Sequence, residues 1–326
     1  MGNARRATAF VLTALWLSWP GADVHAQSFP ARPIRIIVGF APAGAADIFA
    51  RILGQKLTEA WGQTVVVDNR PGAGSTIGSE IAAGAVPDGH TLLVISASYA
   101  TSAGLYRKVI RYHPLDSFAP VALIGTGANI LLAHPSVPVK SAKELIAAAK
   151  AAPGKFTLGS AGTGSITHLA GELFAAMAGV KWTHVPYKGG GPNMIALLGG
   201  EIQVTVASVP AAIPGVQGGR VRALGVTSAK RIPALADVPT IAETALPGYE
   251  AINWWAVLAP AGVPQPIVAQ LNSRINAISR MPDFIAALAR EGAEPAAATP
   301  AEFRKFLQAE ISKWTKVIET AGIKEQ

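Results

Sequence analysis

A chain of 326 residues, 50% apolar and 15% charged, is long enough for two domains with sizeable cores, and that balance excludes a disordered or fibrous protein. The net charge of +8 is scattered over isolated pairs such as Arg107-Lys108 and Arg304-Lys305, so the basic stripe that a nucleic acid needs is missing. With no cysteine, neither a disulfide framework nor thiol chemistry is available.

In chain order, Arg5 and Arg6 precede an apolar run from Ala7 to about Trp19, which Pro20-Gly21 break, and Val24 and Ala26 are small residues at the two positions a signal peptidase reads. This predicts a cleaved signal peptide over residues 1–26 and export from the cytoplasm. The run is shorter than the roughly 20 residues of a membrane span, and no later stretch reaches that length. Without a cysteine after the leader the protein is not a lipoprotein. The expectation is a freely soluble monomer with no stable membrane insertion. The six histidines are scattered, with no i, i+4 pair for a helical metal site, so no metal and no cofactor is expected.

The β-branched run Ile34–Phe40, the turn Ala41-Pro42-Ala43-Gly44 and a 3.6-period segment carrying Ile52, Leu53 and Leu57 read as strand, turn, helix. Thr64–Val67 is a second strand, Gly74–Ala85 a small-residue helix and Thr91–Ile95 a third strand. The rhythm restarts with a strand at Ala122–Leu132, a capping box at Ser141–Glu144 that opens a helix ending at Pro153-Gly154, and a strand at Phe156–Ser160 that runs into a glycine turn and another helix. Gln203–Ser208 and Val221–Thr227 are strands separated by a Pro/Gly loop. Ile252–Leu258 is a strand, and only helices follow, the last opening at Thr299-Pro300-Ala301-Glu302.

Strand and helix alternation implies an α/β fold of mainly parallel sheets flanked by helices. The terminal helices carry Phe303, Phe306, Leu307, Ile311, Trp314 and Ile318 on one face, which a first lobe with three strands needs as cover. The chain is therefore expected to return to its first lobe. That gives a two-lobed arrangement, lobe 1 from residues 27–124 and 250–326 and lobe 2 from residues 125–249, with a ligand cleft at the strand ends between them.

Two turns face that cleft: Ala41–Asp47 in the first lobe, with Pro42, Ala43 and Gly44, and Gly159–Ser165 in the second, with Ser160, Thr163, Gly164 and Ser165. Small residues let the helix-start amides approach a ligand, and a carboxylate suits such a site because oriented N–H groups and the helix dipole stabilise it without a cation. The alternative for each is a tight turn with a Ser/Thr cap. Asp47 either caps the first helix or faces the cleft and selects a ligand donor. His168 either donates to a ligand carboxylate or is a buried histidine bonded only to protein. Trp254 and Trp255 point to opposite faces of their strand, one into the core; Trp254 is taken as the cleft candidate. Tyr187 and Gly189, in the permissive loop Tyr187-Lys188-Gly189-Gly190-Gly191-Pro192, either bring a hydroxyl and amides to the ligand or merely connect to a helix from Asn193 to Leu198. Ser96, Ser98, Tyr99 and Ser208, at strand ends, complete the candidates.

Enzyme signatures are lacking. Gly72, Gly74 and Gly78 miss the dinucleotide spacing by one residue, and there is no Gly-x-Ser-x-Gly elbow, His-Glu-x-x-His or cysteine nucleophile. No catalytic residue is assigned.

Arg32–Arg35, Pro42–Asp47, Val67–Gly74, Pro87–Leu93, Phe118–Val121, Ser160–His168, Pro186–Pro192 and Trp255–Pro260 together resemble, in order and over nearly the whole mature chain, the Bug family of periplasmic receptors for tripartite tricarboxylate transporters. The resemblance implies the two lobes of a type II-like periplasmic binding protein that close on a small organic acid, a first carboxylate held at the turn matching Pro42–Asp47 largely by backbone amides and bridging waters, and a variable side lined by the turn matching Ser160–Ser165 with His168 nearby. Two departures stand out. Ala43 replaces the family's usual glycine, and Ala97–Thr101 lacks the Asn-Pro often found after the third strand, leaving Tyr99 to intrude on the cleft. The expected function is capture of a small carboxylate and its delivery to integral-membrane transporter subunits. Rival readings are a receptor that feeds a sensor and an exported hydrolase working through Ser160 or His168.

Overall fold

β-Branched runs followed by turns of small residues generate most of the architecture. The structure, a computed structural model, describes residues 29–321 and residue 323, so the predicted leader lies outside the described residues. β1 (Ile34–Val38) leads into α1 (Ala45–Trp61), then come β2 (Val65–Asn69), α2 (Thr76–Ala83), β3 (Thr91–Ser96) and α3 (Ala97–Leu105). The long β4 (Phe118–Ala133) carries the chain into α4 (Ala142–Ala151), β5 (Thr157–Ser160), α5 (Ile166–Ala178), β6 (Thr183–Pro186), α6 (Gly190–Leu198), β7 (Val204–Ser208), α7 (Val209–Gln217), β8 (Arg222–Val226) and the short α8 (Ile241–Thr244). β9 (Ile252–Pro260) returns, followed by α9 (Gln265–Ile278), α10 (Pro282–Arg290), β10 (Ala293–Pro295) and α11 (Pro300–Ala321).

The strands run in the order β2-β1-β3-β9-β4-β7-β5-β6, with β8 and β10 also paired to β4. Pairs β1–β2, β1–β3, β5–β6 and β5–β7 are parallel. The crossing strands are antiparallel to their neighbours, so the sheet is mixed. β4 belongs to both halves: residues 118–128 pair with β9, and residues 129–133 pair with β7. The second crossing is fixed where the Ala251 amide donates to Thr227 O at 3.0 Å and Asn129 Nδ2 donates to Ala251 O at 3.0 Å. Two lobes result, each with its own parallel strands.

Alternation along β9 divides the first lobe's core. Trp255 packs with Phe49 of α1, ring centroids 4.3 Å apart, alongside Phe284 and Leu288 of α10. Trp254 packs on the other face with Phe303 and Phe306 of α11. α11 thus covers the first lobe, as its apolar face requires.

β6 and α8 were not expected from the sequence, and four further elements differ from expectation for identifiable reasons. Residues 209–217 are helical, not a loop; Pro210 sits where a helix has no bond to lose, and burial of Val209, Ala212 and Ile213 outweighs the donor missing at Pro214. α3 was invisible to periodicity because all nine of its residues are buried. α2 begins at Thr76 rather than Gly74, because Gly72, Ala73, Gly74 and Ser75 all have positive φ. β10 adds a short strand where only helices were expected.

Candidate functional site

β1, β3, β5 and β7 all end at the cleft, and a cavity of about 40 Å³ lies between their turns. Gly44, Ala45 and Ala46 line it from the first lobe, with Ser96 and Ser98 at the start of α3. Ala161, Ile166, Thr167, Gly190, Asn193 and Ser208 line it from the second. Phe40, Ala207, Asn253 and Trp255 complete the wall. None of these residues is charged.

Five helices begin at this cavity. Two have their first turns satisfied by side chains: Ser96 Oγ accepts the Ser98 amide on α3, and Ser165 Oγ accepts the His168 amide on α5. The N-termini of α1, α6 and α7 carry no side-chain cap. Their orphan N–H groups and dipole ends make the cavity electropositive without a formal cation, an arrangement suited to an anion. The amide of Asn253 is oriented by Oδ1, which accepts from Ala97 N at 3.2 Å and Trp254 N at 3.0 Å, leaving Nδ2 as its donor. Trp255 Nε1 and Asn193 Oδ1 are buried without a hydrogen-bond partner.

The first turn is built around Asp47. Its carboxylate accepts from Ala43 N at 3.0 Å, from Arg51 Nε at 3.0 Å and Nη2 at 2.8 Å, and from Asn69 Nδ2 at 3.0 Å. Burial acts to raise its pKa, but the hydrogen bonds from Arg51, Ala43 and Asn69 together outweigh it and hold the carboxyl below the usual range. Asp47 is thus occupied within the turn and does not line the cavity. It also holds Ala43 at φ 64, the left-handed shape that the glycine expected there would adopt at less cost. Pro42 and Ala43 shape this turn from behind Gly44.

The second turn is satisfied internally. Ser160, fully buried, has Oγ 2.7 Å from His184 Nε2 and accepts the Gly162 amide at 3.1 Å. His168 Nδ1 accepts the Gly164 amide at 3.2 Å, and its ring stacks on His184 with centroids 3.9 Å apart. Burial, then His184, lowers the His168 pKa to about 3, so the ring is neutral. Neither Ser160, Ser165 nor His168 lines the cavity.

The lobes touch. The hydroxyls of Thr101 and Ser102 contact Gly164 O, the Ile166 amide donates to Ser98 Oγ at 3.0 Å, and Tyr106 OH donates to Thr163 O at 3.2 Å. Across the mouth, Ala41 N donates to Lys188 O at 2.9 Å. A Cβ on Gly191 would lie 2.5 Å from Pro42 O, so only glycine permits this approach. Gly189, at φ 141, seats the same loop against Ala41.

Of the expected site residues, Gly44, Ser96, Ser98 and Ser208 line the cavity, and Thr163 and Tyr187 line a second space beside it. Two expectations are corrected. Tyr99 does not intrude on the cleft; it is buried between Tyr112 and Phe118, and its hydroxyl donates to Pro114 O at 2.8 Å. Trp254 faces away, donating from Nε1 to Glu310 Oε2 at 2.9 Å, and Trp255 reaches the cavity instead. Asn193, Asn253 and Thr167 were missed. Only Asn253 had a usable signal, its two-residue spacing from Trp255 on one strand face.

A profile of the family described as tripartite tricarboxylate transporter family receptor matches residues 49–323. The chain belongs to this receptor family. BugT of Bordetella pertussis strain Tohama I is 38% identical over 323 residues, 99% of each chain. Among solved structures, R. palustris Rpa4515 with adipate is 37% identical with a TM-score of 0.88, covering 90% of this chain and 98% of that one. MatC from Rhodopseudomonas palustris with bound malate is 31% identical with a TM-score of 0.85, covering 89% of this chain and all 100% of that one. The protein is accordingly a Bug-type periplasmic solute-binding receptor with the two-lobed fold of that group. Among the described residues, no helix of this receptor is long and apolar enough to cross a membrane.

Proposed function

We propose that this receptor captures a small organic acid by closing its lobes and delivers it to the membrane subunits of a tripartite transporter. The observation that carries the reading is the convergence of three uncapped helix N-termini, those of α1, α6 and α7, on a charge-free cavity between touching lobes. One carboxylate placed there would accept from the amides of Ala45, Ala46 and the Gly190 turn, with Ser96, Ser208 and Asn253 as further donors. The two relatives solved with adipate and malate hold dicarboxylates, which supports the same class here.

In this reading the first crossing between the lobes falls after Ala128, four residues later than the expected boundary after Ile124, because residues 125–128 still pair with β9, and export follows cleavage after Ala26. Closure needs only a ligand that binds the closed state more tightly than the open one, and no covalent step. The Ser160–His184 contact resembles a nucleophile and base, yet Ser160 is 0% exposed and its Oγ is engaged with the Gly162 amide, which favours a structural role over hydrolysis.

Isothermal titration of the folded mature protein with mono-, di- and tricarboxylates tests the reading. Saturable binding of at least one acid, with quenching or enhancement of Trp255 fluorescence, is expected. Heat-silent titrations across the whole series would refute it.

A further inference from the structure

A larger space, of about 430 Å³, opens on the far side of the crossing strands. Ile252 of β9 lines it together with Thr126 and Ala128 of β4, whereas Asn253 and Trp255 of β9 line the inner cavity. Successive residues of a strand point to opposite faces, so the two spaces lie in front of and behind the same strands. The side walls of the rear space belong to different lobes, residues 289–294 to the first and residues 228–234 to the second. The first wall moves with α10, which packs on Trp255, and the second with Leu235, which is buried in the second lobe's core.

Between the two spaces the lobes meet closely at Gly292. A Cβ there would lie 2.3 Å from Val209 Cγ1 and 3.7 Å from Ala234 Cβ, so first-lobe backbone sits directly against the start of α7. Ser208, the residue before Val209, lines the inner cavity, while Gly292 and Ala234 line the rear one. The contact is thus a fulcrum. Separating the turns in front of it brings the walls behind it together, because each lobe has a close-packed core that does not compress. The rear space is therefore widest when the front is shut. Small residues, Ala234 on one wall and Ala289 on the other, leave it room to narrow.

Resting on the reading of the inner cavity as an acid site that closes, we infer that the rear cavity sets the balance between open and closed receptor, and that Ala234 and Ala289 are the positions whose size tunes it. Bulk added to either wall occupies the room that opening needs, and the space is ample for a phenylalanine ring while the lobes are shut. Such a wedge destabilises the open form alone. Acid affinity then rises although no added atom approaches the acid, because less of the binding energy is spent on closure.

The test uses the mature protein with Ala234→Phe and Ala289→Phe, the milder fillers Ala234→Leu and Ala289→Leu, and Ala286→Phe, which adds the same bulk on α10 outside the cavity. Each variant is shown to be folded by thermal unfolding. Titration calorimetry gives the affinity for the acid that wild type binds most tightly in the carboxylate series, and small-angle scattering gives the radius of gyration without ligand. Both phenylalanine fillers should bind that acid about fivefold more tightly and show a smaller ligand-free radius than wild type, the leucine fillers should lie between, and Ala286→Phe should match wild type in both. Affinity of the filled variants unchanged within about twofold, or weakened, overturns the inference and leaves the acid reading intact. A gain in affinity at an unchanged radius overturns it too, since the effect would then lie at the acid site and not in closure. Failure of every acid to bind wild type removes the acid reading, and the ligand-free radius alone then decides the inference.

Discussion

The first-lobe turn at residues 41–47 and the second-lobe turn at residues 159–165 share one plan, a strand end, small residues and a helix start, but they spend their hydrogen bonds differently. In the first, Asp47 gathers Ala43, Arg51 and Asn69 on its own side, and the amides at the start of α1 are left uncapped toward the cavity. In the second, Ser160, Ser165 and His168 bond the turn's own amides, and Gly164 O receives hydroxyls from the opposite lobe. One turn leaves its amides open toward the cavity, and the other fastens the lobes together. A glycine-rich strand end thus acquires its role from whichever side chains satisfy it.

The sharpest way to break this contrast is Asp47→Ala. It removes a buried carboxylate and strands the Ala43 amide and Asn69, which should cost about 3 kcal/mol in urea unfolding at pH 7 and weaken acid binding at least tenfold. Because the folded pKa of Asp47 is lowered, its contribution is present above the ordinary carboxylate range and is lost as pH falls through the lowered value. Asp47→Asn should flatten that acid limb.

His168 gives the next effect. Its folded pKa of about 3 lies below the unfolded value near 6.5, so stability is complete above about pH 6.5 and declines as pH falls toward 3. Between pH 6.5 and 5 the wild type should lose about 2 kcal/mol more than His168→Gln, measured by chemical unfolding at each pH.

The fastening itself is tested by the double variant Thr101→Val with Ser102→Ala. Loss of the hydroxyl contacts to Gly164 O should weaken acid binding about tenfold and enlarge the ligand-free radius of gyration in small-angle scattering. Smallest is Ala43→Gly, which relieves a left-handed alanine and should raise stability by about 0.5–1 kcal/mol with acid affinity unchanged within about twofold. A loss of stability there would mean that the turn does not hold Ala43 in that conformation.

The two turns were visible in the sequence because each follows a β-branched run and consists of residues too small to pack. The difference between them was not, since it depends on Asn69 and His184, which reach the turns from other strands. Most strands and the return of the terminal helices were legible for the same reason, hydrophobic period. α3 was not, because a helix buried on every side has no polar face to set a period, and Ala97–Leu105 reads as featureless small residues. α7 was hidden by Pro210 and Pro214, whose local preference burial overrides. For Trp254 and Trp255, alternation predicted opposite faces; choosing between those faces required knowing that α11 supplies Glu310 on one and α1 supplies Phe49 on the other.

β4 runs unbroken for 16 residues through both lobes, changing partner after Ala128. Such a beam cannot swing like a loop; it can only twist, so the lobes are geared to each other by strand register. One amino acid inserted after Ala128 would turn the side chains of Asn129 to Ala133 inside out relative to β7 and β8, while β9 kept its match with the residues before it. The crossing between the lobes is thereby the place where the chain tolerates least change in length.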